Sequence, residues 1–262
     1  MMPAEIHRRK GAIRAKDFCS HLGLDYPYIL TLEELIEGQD ALLCEGDIDG
    51  ADGRTVFHGS LANVTIKSDI QPFTKRRFVL AHELGHLVMH RDSGQMFIDN
   101  DQTLYDWYQS GPHEFEANGF AAEILMPENI FKAKAAGRFS MKIIEEAAGF
   151  FQTSMTATLI RYKELGSFPI ALIFVENKKI KWFQCSHDFV LKFLPINSAV
   201  PINTVAHDIS SKGYAVPNSA EKVKALDWFV NDFEIEEYKN WIFSEQCFRV
   251  SQTGIISCLW GR

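Results

Sequence analysis

The segment FVLAHELGHLVMH, residues 78–90, places two imidazoles four residues apart, His82 and His86, with the Glu83 carboxylate beside the first. On an α-helix, residues four apart share one face, with Cβ atoms about 5–6 Å apart. That spacing lets both rings converge on one tetrahedral cation with metal–nitrogen bonds of about 2.0–2.1 Å. Glu83 flanks the same face, beside the place where a metal-bound water would sit. Zinc lowers the pKa of such a water to about 7, and Glu83 can take its proton as it attacks a peptide carbonyl. The same carboxyl can later pass the proton to the leaving amine. A blander reading makes the two histidines ordinary, partly buried helix residues. The apolar flanks oppose it, because two histidines and a glutamate on a buried helix are costly unless paired or metal-bound. Gly85 adds a hint of close packing, since glycine in a helix costs roughly 1 kcal/mol relative to alanine.

A catalytic zinc needs a third protein ligand, and three residues compete. His90 lies about 12 Å of helical rise from His82 at about 1.5 Å per residue, so it cannot join both imidazoles on one ion. Asp92 stands six residues after His86, where metzincins place a ligand. Those enzymes turn the chain with a glycine three residues after the second histidine, and Met89 stands there instead. Glu114 opens the segment EFEANGFAAEILMP, residues 114–127, and shares a helix face with Asn118. The carboxylate can bind the ion while Asn118, one turn on, hydrogen-bonds a liganding imidazole. Asparagine is a poor helix-interior residue, which favours a specific role. Glu114 is therefore the expected ligand, and Glu116 is expected to be a solvated or structural carboxylate. Ala117, Gly119, Ala121 and Ala122 would let this helix approach the first closely.

Several elements must position these groups. Ile6, Ile13, Phe18 and Leu22 recur at roughly helical intervals over 4–22, implying an amphipathic helix with a basic outer face. Thr31 and Glu34 form a capping-box pair before a short helix over 32–38. Strands are expected over 41–45, 55–59 and 61–67. The DIDGADG stretch, 47–53, fails the calcium-loop pattern and reads as a turn. Thr74 is the expected N-cap of a helix over 75–90, and a second strong helix covers 112–125. Further helices fill 128–165. Strands over 170–176 and 179–184 flank Asn177 and Lys178 as a hairpin, and 241–250 and 254–260 add two more. The fold class is thus α+β. The expected division is a domain over 1–166, including a helix-turn-helix-like segment at 140–165, and a small C-terminal α+β unit over 167–262, a candidate regulatory or sensory domain.

Composition bounds the function. The chain has 262 residues, 46% apolar and 23% charged, which is ordinary for a soluble globular protein. A net charge of −7 argues against a dedicated nucleic-acid binder. Cysteines 19, 44, 185, 247 and 258 form no C-x-x-C pair, and read as reduced thiols. No apolar run follows the basic N-terminal residues, and no segment is long enough to span a bilayer. A cytoplasmic location and no membrane association are expected.

The motif pair RRFVLAHELGH and EFEANGFAAEILMP resembles the ImmA/IrrE family of metallopeptidases. The resemblance is specific over roughly residues 55–130 and looser on both sides. It implies a zincin-like core, a mixed or antiparallel sheet with active-site helices and a helical extension. It also implies zinc held by His82, His86 and Glu114, with Glu83 catalytic. It further implies regulated proteolysis of a protein substrate, typically a helix-turn-helix repressor, in stress response or mobile-element control. In zincins an extended peptide commonly pairs with an edge strand above the metal, and 61–67 is the candidate edge. Tyr105, Tyr108 and His113 are candidates for stabilising the oxyanion.

Two other function classes compete. Residues 141–151, a turn at Gln152-Thr153 and 154–165 have a helix-turn-helix pattern, but Arg161 and Lys163 alone would meet phosphate. Direct nucleic-acid binding is therefore not expected. The other alternative is a metal-bound regulatory protein without turnover, in which the C-terminal unit senses a ligand or partner.

Overall fold

The computed structural model describes residues 3–91, the backbone of 97–99, and residues 111–261. The architecture is α+β with two separate sheets. By their contacts the residues form two units, Met1–Phe131 with Ala148–Ser154, and Lys132–Ala147 with Met155–Arg262.

The first unit contains α1 (Pro3–Leu22), α2 (Leu32–Glu37), β1 (Ala41–Gly46), β2 (Gly53–His58), β3 (Leu61–Lys67), α3 (Phe73–His90), β4 (Phe97–Asp99), α4 (Pro112–Leu125) and the start of α5 (Glu128–Lys134). Its sheet is mixed, in the order β1-β3-β2-β4, with β1 parallel to β3 and the other pairs antiparallel. Strand β3 buries Ala62, Val64 and Ile66 in strict alternation. Each large aliphatic side chain so buried is worth about 1.5–3 kcal/mol. This strand was the expected edge, and it is not one. Ala41 to Gly46 pair with it on one side and β2 on the other, so its backbone groups are used on both flanks. Among the described strands, the edges are β1 and β4.

Helix α1 also differs from expectation. Ile6, Ile13 and Leu22 are exposed, while Gly11, Ala15 and Phe18 are buried. The reason is a close crossing with α4. A Cβ added to Gly119 would lie 2.7 Å from the Arg8 carbonyl carbon, and one on Gly11 would lie 2.7 Å from the Phe120 nitrogen. Bulky aliphatic residues cannot occupy such a crossing, so small residues define the buried face. Gly119 thus serves α1, whereas Ala117 faces α3, where a Cβ on Gly85 would come within 3.1 Å of the Ala117 Cα.

The capping box forms as expected: Thr31 N–H donates to Glu34 Oε2 at 2.7 Å, and Glu34 N–H to Thr31 Oγ1 at 3.2 Å. Helix α3 starts at Phe73 rather than after a Thr74 cap. Pro72 precedes it, and its carbonyl accepts from Lys75 N–H at 2.8 Å.

The second unit contains most of α6 (Met141–Phe151), α7 (Met155–Leu165), β5 (Ile170–Glu176), β6 (Lys179–Cys185), α8 (Val205–Lys212), β7 (Glu221–Lys224), α9 (Ala225–Phe229), α10 (Ile235–Tyr238), β8 (Ile242–Arg249) and β9 (Gly254–Trp260). Its antiparallel sheet runs β6-β5-β9-β8-β7. Asn177 and Lys178 turn the β5–β6 hairpin with φ of 50° and 64°, both in the left-handed region that two-residue hairpins require. The division departs from the expected boundary at 166. Phe139 packs edge-on against Tyr162 and Trp260, with ring centroids 4.9 and 5.0 Å away, drawing the preceding helical residues onto this sheet. Arg161 is buried here, and Lys163 donates to Gln184 at 2.9 Å, so neither is presented as the helix-turn-helix reading requires. The five cysteines are free thiols. Among the described residues, no helix is long and apolar enough to cross a membrane.

Candidate metal centre

Helix α3 carries His82 and His86 one turn apart, both essentially fully buried. Their Nε2 atoms lie 3.0 Å apart. Pro112 at the start of α4 sets the first helical turn, and Glu114 projects from that turn. Its Oε2 is 3.1 Å from His82 Nε2 and its Oε1 is 3.5 Å from His86 Nε2. Donors around a tetrahedral ion with bonds of about 2.0–2.1 Å are separated by about 3.3–3.4 Å. The three separations straddle that value, so the donor set fits a zinc-sized cation. Two imidazoles and one carboxylate leave the fourth position of a catalytic site open.

The electrostatics agree with this fit. Burial pushes the His86 imidazole down to about 3, outweighing the hydrogen bond it can donate to Glu114, so the ring is neutral near pH 7 and offers a lone pair. Burial by itself would raise the Glu114 carboxyl. Hydrogen bonds and charge interactions with His82 and His86 outweigh it and hold the group well below the usual carboxylate range. A neutral His86 imidazole facing an ionised carboxylate is the protonation state that a divalent cation needs.

The groups behind the donors are specific too. Asn118 Oδ1 lies 3.0 Å from His82 Nδ1, where it can accept a hydrogen bond from a protonated Nδ1 and leave Nε2 as the lone-pair nitrogen. Behind His86 stands His90, with the two Nδ1 atoms 3.0 Å apart. His90 Nε2 in turn lies 3.0 Å from Glu116 Oε2. Of the two readings expected for Glu116, the contacts favour the structural carboxylate, since His7 Nδ1 also lies 2.7 Å from its Oε1. Its partners were not legible in the sequence, because His7 is 109 residues away.

Glu83 is buried beside β2 rather than open to solvent. Thr55 Oγ1 donates to its Oε2 at 2.5 Å. Gly53 lies so close that a Cβ there would stand 3.0 Å from Glu83 Cδ and 2.9 Å from Val79 Cγ1. Neither Thr55 nor Gly53 is marked by any motif. The glycine of a turn-like stretch was the available signal, and its reason is this carboxylate. His113 is half-exposed, with Nδ1 3.8 Å from Glu116 Oε2. Asp92, Tyr105 and Tyr108 lie outside the described residues.

Comparison with known proteins gives a consistent picture. The chain is similar in fold to a Mycobacterium tuberculosis transcriptional regulator, with a TM-score of 0.56 at 14% identity, covering 99% of this chain and 80% of that one. No curated protein matches the sequence significantly. Residues 46–163, which span both helices of the centre, match the IrrE N-terminal-like domain of peptidase family M78. Over that segment the chain is similar to the ImmA/IrrE family of metallopeptidases.

Proposed function

We propose that the chain is a zinc-dependent endopeptidase that cleaves a regulatory protein, a helix-turn-helix repressor, in stress response or mobile-element control. The observation that carries the zinc assignment is the 3.0 Å approach of His82 Nε2 and His86 Nε2, with the Glu114 carboxylate reaching the first through Oε2 at 3.1 Å and the second through Oε1 at 3.5 Å. The repressor as substrate rests on the family resemblance. The C-terminal unit is proposed as a regulatory or sensory domain, and the free thiols fit a cytoplasmic location.

His82, His86 and Glu114 would hold the ion. When bound, it supplies Lewis-acid polarisation of the peptide carbonyl and lowers the pKa of water to about 7. Glu83 takes the proton of the attacking water and returns it to the leaving amine. Thr55 fixes the orientation of that carboxylate through its hydrogen bond. Asn118 and His90 fix the ring orientations behind the two imidazoles.

The test incubates zinc-loaded wild type and Glu83→Gln with the transcription regulator encoded beside this gene. Cleavage by wild type alone, with equal zinc in both proteins, is the expected result. Equal cleavage by both would remove Glu83 from the reaction. The fold neighbour's description as a transcriptional regulator favours a second reading, a metal-bound regulator without turnover. In that case neither protein cleaves, yet zinc still changes the regulator's target occupancy. Glu114→Ala should empty the site in both readings, and unchanged zinc content in that variant would overturn the ligand assignment.

A further inference from the structure

One turn beyond His86, a second constellation gathers around Glu116. His90 is 4% exposed, and its Nε2 lies 3.0 Å from Glu116 Oε2. His113 Nδ1 approaches the same oxygen at 3.8 Å. Ligand atoms of His90, His113 and Glu116 all lie within 4.8 Å of one another, as do those of His82, His86 and Glu114. Donors on a tetrahedral ion stand about 3.3–3.4 Å apart, and 3.0 and 3.8 Å bracket that spacing. The carboxylate is steadied from its other side, where His7 Nδ1 is 2.7 Å and Lys10 Nζ 3.7 Å from Oε1. His113 is 43% exposed, so the cluster lies near the surface. Two imidazoles with one carboxylate suit zinc, cobalt or nickel, whereas calcium and magnesium favour oxygen ligands.

We propose that His90, His113 and Glu116 form a second transition-metal site, and that it competes with the His82–His86–Glu114 centre for occupancy. The competition follows from the 3.0 Å gap between His86 Nδ1 and His90 Nδ1, which has room for one proton. An ion on His86 Nε2 leaves that ring's proton on Nδ1, aimed at His90. His90 then carries its own proton on Nε2, bonded to Glu116. An ion on His90 Nε2 requires the reverse, which puts a proton on His86 Nε2. Ions at both sites would set two N–H groups against each other in that gap. An ion in the first site would thus weaken binding at the second. The second site stands without the peptidase reading; only its competition rests on it.

The test is a cobalt(II) titration of the metal-free full chain, read by visible d–d absorption, with zinc back-titration. Wild type should bind one equivalent tightly and a second more weakly. His82→Ala should keep one equivalent, and adding His113→Ala should abolish it. Because His82 is buried, Glu114→Gln serves as an independent way to disable the first site. Loss of all binding in His82→Ala and Glu114→Gln overturns the second site and leaves the first intact. Retention of that equivalent in the His82→Ala/His113→Ala chain overturns it as well. Two equally tight equivalents in wild type would overturn the competition. Failure of the first site is a separate outcome: His82→Ala would then titrate like wild type.

Discussion

Thr55 Oγ1 lies 2.5 Å from Glu83 Oε2, so a hydroxyl on β2 holds the carboxylate that follows the first histidine of α3. Thr55→Val keeps the shape and removes the donor. A buried acceptor that loses its partner costs about 1–3 kcal/mol. The misplaced base should lower kcat by about 10²-fold. Zinc content should stay at the wild-type level. A variant with normal kcat would show that the hydroxyl does not orient Glu83, and metal analysis alongside kinetics provides the check.

Asn118 stands behind His82 at 3.0 Å. Its replacement by alanine should weaken zinc binding about 10–100-fold, the usual cost of losing such a support. Asn118→Asp keeps an acceptor at the same place and should restore most of the affinity. Competition with a chelator of known affinity measures both. Equal losses in the two variants would point to packing rather than to the hydrogen bond.

Acid should destabilise the metal-free chain early. The His86 ring is held down to about 3 by burial, against an ordinary value of 6.5. Between those values the unfolded state binds a proton that the folded state refuses, so stability falls as pH drops from about 6.5 toward about 3. Glu114, held low by its histidine partners, adds a loss of the same sign below its ordinary value of 4.5. The metal-free Tm should therefore decline between pH 7 and 5, and His86→Asn should flatten that decline. A flat Tm in the wild type would show that His86 is not held neutral.

In the second unit, Glu245 is fully buried and accepts from Val205 N–H and Ala206 N–H at 3.0 Å, Trp228 Nε1 at 3.1 Å and Ser257 Oγ at 2.8 Å. It closes the N-terminus of α8 onto β8 and β9. Glu245→Leu leaves those buried donors unmatched, at about 1–3 kcal/mol each. The unit's denaturation midpoint should fall by several kcal/mol equivalent, with zinc per folded chain unchanged. Denaturant melts followed by tryptophan fluorescence, which Trp228 reports, would reveal it.

Much of the centre was legible because its key spacings are local. His82 and His86 share a face by helical geometry alone, and Glu114 with Asn118 repeat the same offset one helix later. The Thr31–Glu34 cap and the Asn177-Lys178 hairpin are likewise properties of four or fewer adjacent residues. Folding was needed for whatever depends on contact between distant segments. Gly11 and Gly119 show why the aliphatic stripe of α1 misleads: backbone proximity, rather than side-chain hydrophobicity, chose the buried face. The central place of β3 likewise depends on a parallel partner that no local pattern announces. Thr55, Gly53, His7 and Glu116 acquire their roles through contacts with α3 and α4 and their ionisable groups across gaps of 26 to 109 residues. Periodicity encodes which side of an element is buried, but the identity of the neighbour on that side is set by how the elements pack.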